Sequence, residues 1–155
     1  MAKVLYTTQA HVTGGRAEGH GATTDGMLEV DLRIPEDLGG PGGGTNPEQL
    51  FAVGYAACFE SALTVMGRRK DQDTQDAEID SSVSLLPTGD GGFKLAVALD
   101  VTLPSVEDPE LAADLVRAAE KVCPYSNATR GNIELALTAN GRAVEEAAAT
   151  PAGQG

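Results

Sequence analysis

The chain has 155 residues, enough for one domain with a real core and short for two. Its formal net charge of -12 at pH 7 sets up a negative field that repels phosphate backbones and anionic headgroups, which argues against nucleic acid and membrane surfaces as partners. Hydrophobic residues make up 41% of the chain and tryptophan is absent, so Val, Leu, Ile and Ala must build the core.

The opening MAKVLYTTQAHVTGG holds no apolar run of signal-peptide length, and no other stretch reads as a membrane span, so a cytoplasmic protein is expected. From Val4 to His11 the residues are β-prone. Leu28, Val30, Leu32 and Ile34 then alternate with Glu29, Asp31 and Arg33, the pattern of a strand with one wet face. Between these two lies GGRAEGHGATTDGM, which reads as a turn followed by a strand, with Asp25 and Gly26 at a second turn. The glycines of LGGPGGGTNP, Leu38 to Pro47, lack the Lys-Ser or Lys-Thr of a phosphate loop, and a mobile loop is the better reading.

A helix is predicted next, with Asn46 as N-cap, Pro47 at the first helical position and Glu48 in the first turn, running to about Gly67. Ile79, Val83 and Leu85 precede a PTGDGG turn, after which Phe93, Leu95, Val97, Leu99, Val101 and Leu103 hold every second position, which predicts a β-hairpin. A second helix follows in DPELAADLVRAAEKV, capped by Asp108, and places Cys123 at its C-terminal end before Pro124. A turn through YSNATRG leads to a last strand, IELALTA, and then to a frayed tail. The order implies an α+β fold with antiparallel sheet.

The first helix is apolar over most of its circumference, through Leu50, Phe51, Val53, Tyr55, Phe59, Leu63, Val65 and Met66. Such a helix must be buried on all sides, and one domain of this length has too few elements to wrap it, so a second chain is expected to help. Gly54, Cys58 and Ala62 form a narrow stripe of small residues that would admit another backbone. On position alone Cys58 reads as a small buried hydrophobe. A reactive thiolate would need a lowered pKa, and Cys58 lies too far into the helix for its N-terminus to help. Cys58 and Cys123 are 65 residues apart, with no CxxC pairing, and neither they nor His11 and His20 have zinc-ligand spacing. In a reducing cytosol both are expected as thiols at rest.

Three segments, GGRAEGHGATTDGMLEV, TNPEQLFAVGYAACF and CPYSNATRGNIEL, resemble the organic hydroperoxide resistance branch of the Ohr/OsmC peroxidase family. The resemblance runs in order from about Ala2 to Arg142, which implies a single domain over 1–142 and a tail over 143–155. It implies an OsmC-like fold, with antiparallel sheets wrapped around a long buried central helix in an intertwined homodimer. By the same resemblance Cys58 is the peroxidatic nucleophile, Cys123 the resolving cysteine, Arg16 the cation beside the sulfur and Glu48 its carboxylate partner.

A guanidinium favours the thiolate and can stabilise a leaving alkoxide, and a carboxylate can orient it through a bidentate pair. Ten residues of helix separate Glu48 from Cys58, about 15 Å of rise, so Glu48 is expected to serve the partner chain's cysteine. The apolar Leu50, Phe51, Tyr55, Phe59 and Met66 are expected to favour alkyl or fatty-acid hydroperoxides. His20 reads as a surface strand residue, and Asn127 and Arg130 as hydrogen-bond donors that shape a loop. No metal, flavin or haem is expected, and the resemblance names dihydrolipoamide, carried on lipoylated protein, as the recycling dithiol. Two alternatives stand beside this reading: an OsmC-type peroxidase with broader peroxide choice, and a non-enzymatic dimeric redox-sensing or ligand-binding protein.

Overall fold

Residues 2–145 are described by the computed structural model, and they divide at Leu50 into two compact units. The first unit is a three-stranded antiparallel sheet of β1 (Ala10–Thr13), β2 (Gly19–Thr23) and β3 (Glu29–Leu32), in that order. The expected turn between β1 and β2 is a single helical turn, α1 (Gly15–Glu18), entered through Gly14 and Gly15, both at positive φ. Asp25 shapes the second turn, where its Oδ1 accepts from the Thr23 hydroxyl and the Met27 N–H.

Alternation along these strands puts Val12 opposite Gly21 and Gly21 opposite Val30, on one apolar face. His20 pairs with Asp31 on the other face. The apolar face bounds a cavity of about 110 Å³ lined by Val12, Leu28, Val30, Leu32 and Leu50.

The β-prone run from Val4 does not form a strand until Ala10. Propensity has no effect there without a neighbouring strand to pair with, because β2 ends at Thr23 opposite Ala10, and Val4, Leu5 and Tyr6 are exposed. The glycine loop is tied back by main-chain bonds, Gly40 N–H to Pro35 O and Gly42 N–H to Ile34 O at 3.0 Å each, and Thr45 N–H to Asp31 O at 2.8 Å.

Helix α2 (Pro47–Arg69) starts in the first unit and runs through the second. Its start follows the expected end-group chemistry: Asn46 is buried and its Oδ1 accepts the Gln49 N–H at 2.9 Å. In the second unit Tyr55, Phe59, Ala62, Leu63 and Met66 bury one face of this helix. They pack in one core with Val97, Leu99, Val101, Leu115 and Val116. Contrary to the sequence expectation, α2 is long and apolar enough to cross a membrane by length and composition. Its packed face places part of that apolar surface in the core. The expectation of burial on all sides is not met within one chain, where Val53 is 72% and Val65 41% exposed.

Strands β4 (Glu78–Pro87) and β5 (Phe93–Thr102) form the expected hairpin. Helix α3 (Pro109–Val122) opens at Asp108, whose carboxylate accepts the Glu110 N–H at 3.0 Å. After it comes α4 (Pro124–Thr129), a short helix where a turn was expected, then β6 (Glu134–Ala139) and β7 (Arg142–Val144). The four strands make one sheet in the order β4-β5-β6-β7.

This sheet is not wholly antiparallel: β5 and β6 pair in parallel, with Leu99 opposite Leu137. Parallel pairing needs a long crossover, and α3 with α4 supplies it. Arg142–Val144 pairs with β6, so residues assigned from sequence to the tail begin as a strand. From residue 146 onward the expected tail lies outside the described residues.

Candidate active site

Cys58 lies in the middle of α2 and is partly exposed, whereas Cys123 is fully buried; both are free thiols. Cys58 packs against the core that contains Cys123, and Cys123 and the main-chain N–H of Tyr125 are both near enough to influence its thiol. Cys123 ends α3 and begins α4, with extended dihedrals of φ -66 and ψ 123 that break the helical path at that residue. Pro124, which lacks an N–H, sits where a first-turn donor would be unpaired in any case. Sequence had placed Cys123 at a helix end; the chain reversal there carries its sulfur to α2.

The segment after Cys123 is pinned. Tyr55 and Ser126, both fully buried, share a 2.7 Å hydrogen bond. Arg130 donates Nε to Glu120 Oε1 at 3.0 Å, Nη2 to the Glu120 main-chain oxygen at 2.7 Å and Nη1 to Asn127 Oδ1 at 2.8 Å. Arg130 is thus the donor expected from sequence, while Asn127 accepts rather than donates.

Phe51, Tyr55 and Tyr125 form an aromatic cluster with ring centroids 5.6 to 5.9 Å apart. A β-carbon on Gly54 would come within 2.7 Å of the Tyr125 hydroxyl. At Gly54 the small-residue stripe admits Tyr125 of the same chain. Gly54 and Tyr125 were not foreseen as a pair, and the only sequence signal was glycine one helical turn before a cysteine.

The electrostatics at Cys58 differ from the expected lowering. Burial is the main influence and pushes the thiol up; the Tyr125 N–H acts in the opposite sense, and the neighbouring Cys123 raises it further. Within one chain this environment disfavours the thiolate. Of the apolar residues expected to receive substrate, Tyr55, Phe59 and Met66 are core, because they occupy the packed face of α2. Leu50 lines the cavity of the first unit.

Arg16 and Glu48 meet in the first unit. Arg16 Nη1 donates to Glu48 Oε2 at 2.9 Å and Nη2 to Oε1 at 2.6 Å, a bidentate fork. Arg16 is the second residue of α1, and Glu48 lies in the first turn of α2. The side chains are 44% and 16% exposed, so the guanidinium keeps an open edge. Glu48 lies below the usual carboxylate range because Arg16 hydrogen-bonds it, and Arg16 is raised for the same reason.

His20 is an exposed strand residue, with Nδ1 3.0 Å from Asp31 Oδ1, and the Asp31 bond raises its pKa. Among the described residues no group of three His, Cys, Asp or Glu side chains is placed to hold a metal.

Residues 40–138 match the family model of OsmC-like protein. The chain is 50% identical over 140 residues to the organic hydroperoxide resistance protein of Xanthomonas axonopodis pv. citri, covering 88% of this chain and 95% of that protein. Among solved structures it is similar to an organic hydroperoxide resistance protein from Legionella pneumophila, with 50% identity, a TM-score of 0.84 and 88% and 98% of the two chains covered. A structure from Vibrio cholerae, an organic hydroperoxide resistance protein with captopril bound in one of its active sites, matches at 45% identity and a TM-score of 0.86, over 91% and 96% of the two chains.

Proposed function

This chain belongs to the OsmC-like family, on its organic hydroperoxide resistance branch, and we propose that as a cysteine-based peroxidase of that kind it reduces organic hydroperoxides to alcohols through Cys58. The observation that carries the reading is the pairing of a partly exposed Cys58 with a buried Cys123 on an adjoining helix junction. The Cys58 thiolate attacks the distal peroxide oxygen. The O–O bond breaks, the alkoxide takes a proton and leaves as alcohol, and Cys58 becomes a sulfenic acid. Cys123 then attacks the Cys58 sulfur, water leaves, and a Cys58–Cys123 disulfide forms. A dithiol, dihydrolipoamide free or on lipoylated protein, reopens it by exchange.

The cation this requires comes, in our reading, from a second copy. Burial raises Cys58 within its own chain. Arg16 is bound to Glu48, and Glu48 stands about 15 Å of helix rise from Cys58 on the same α2. An obligate, intertwined homodimer would bring the Arg16–Glu48 fork of one chain to the Cys58 of the other and cover Val53 and Val65. There the guanidinium would lower the thiol pKa and stabilise the leaving alkoxide. Two free thiols suit a cytosolic location.

Consumption of tert-butyl hydroperoxide with dihydrolipoamide, for wild type, Cys58→Ser and Cys123→Ser, tests the chemistry. Turnover should vanish in the first variant, and Cys123→Ser should accumulate sulfenic acid that reacts with dimedone. Turnover retained by Cys58→Ser would exclude this reaction path.

A further inference from the structure

Access to the two sulfurs is unequal. Cys58 is partly exposed on α2, while Cys123 has no exposed surface and belongs to the core. Two ties hold the segment after Cys123: the Tyr55–Ser126 hydrogen bond three residues beyond it, and the Arg130 fork that ties the end of α4 back to Glu120 on α3. Lifting the 123–130 segment to expose Cys123 would break both ties. Ser126 and Tyr55 are fully buried, so each broken bond would also strand a polar group in the core.

Resting on the reading that turnover leaves a Cys58–Cys123 disulfide, we propose that the recycling dithiol attacks the sulfur of Cys58 and never that of Cys123, and that Tyr55 and Arg130 are the positioning residues that enforce this. The first thiolate of the reductant bonds to Cys58 Sγ. The Cys58–Cys123 bond breaks, and its electron pair leaves on Cys123, which takes up a proton. The second thiol of the reductant, as thiolate, then attacks the reductant's own sulfur in the mixed disulfide, expels Cys58 as thiolate and departs as a cyclic disulfide. Two electrons pass from dithiol to protein, and both cysteines are restored. Cys123 therefore exchanges only with Cys58, which protects it from outside thiols.

The test uses the full chain, oxidised with one equivalent of tert-butyl hydroperoxide and then treated briefly with 2-mercaptoethanol, which can make the first attack but cannot close a ring. After acid quenching and alkylation in denaturant, peptide mapping by mass spectrometry locates the adduct. We expect it on Cys58, with Cys123 alkylated, at a ratio of roughly ten to one or more. An adduct mainly on Cys123, or divided evenly, would overturn the proposal. A sample that shows no Cys58–Cys123 crosslink before thiol is added removes the underlying reading, a separate outcome visible at an earlier step. Tyr55→Phe and Arg130→Gln should each raise the Cys123 share about fivefold. An unchanged share in both would remove the positioning role.

Discussion

The Cys58–Cys123 pair and the Arg16–Glu48 pair occupy opposite physical settings. The thiols lie in the second unit, Cys58 on α2 and the fully buried Cys123 at the α3–α4 junction, followed by a segment pinned by Tyr55 and Arg130. The ion pair lies in the first unit, on a small sheet whose β1–β2 connection is one helical turn, with the arginine 44% exposed. One setting holds the proposed nucleophile and its proposed resolving partner but raises the Cys58 pKa; the other holds an oriented positive charge with an open edge. Neither pair makes a peroxidase by itself. Burial would suit the proposed disulfide closure by keeping other thiols off Cys123, and it works against thiolate formation at Cys58. On the proposed mechanism the charge is brought to the sulfur by a second copy.

Substitutions separate the two contributions, beginning with the largest. Cys58→Ser should lower peroxide turnover at least about a thousandfold, because no other group replaces the nucleophile; a peroxide-consumption assay reads it. Arg16→Ala should cost about a hundredfold in kcat/KM and move the pH profile of Cys58 alkylation upward, because burial raises the thiol and the proposed guanidinium no longer opposes it. A loss in turnover with an unmoved alkylation profile would mean that Arg16 acts on peroxide alone.

Glu48→Gln should cost about tenfold, since the fork that orients Arg16 loses its charge. The pH dependence of the pair has a definite sign. The folded carboxyl of Glu48 is depressed, first by the Arg16 hydrogen bond, so its contribution is complete above an unfolded pKa of about 4.3. It disappears as pH falls through the lower folded value. At this exposure it is worth at most about 1 kcal/mol, and thermal melts of wild type and Glu48→Gln should converge at low pH. Tyr55→Phe keeps both cysteines and the Arg16–Glu48 pair but removes the partner of a buried serine, for a loss of about 1–3 kcal/mol in a denaturant titration.

Much of this was legible in the sequence where a local rule fixes the outcome. Asn46 and Asp108 announced α2 and α3 because a short polar side chain before Pro satisfies free N–H groups, and both do so. Alternation from Phe93 to Leu103 gave β5, since period two has one physical meaning beside a glycine turn. The ion pair between Arg16 and Glu48, 32 positions apart, was reached only through motif resemblance.

What escaped depends on tertiary contact. Helix α4 has six residues, too short to form on propensity, and owes its shape to the Arg130–Glu120 and Tyr55–Ser126 ties. Parallel pairing of β5 with β6 leaves no mark on alternation. Gly54 announces a close neighbour without saying which, and the neighbour proved to be Tyr125.

The central claim is that the guanidinium of one chain activates the thiol of another, and mixing two inactive variants tests it most directly. Cys58→Ser retains Arg16 and Arg16→Ala retains Cys58, so a dimer of one with the other rebuilds one complete site if the pairs meet across chains. After co-expression or unfolding and refolding together, the mixture should recover about a quarter of wild-type peroxidase activity, half the dimers carrying one site each. A mixture no more active than the Arg16→Ala protein alone would contradict the account and return Arg16 to its own chain's cysteine.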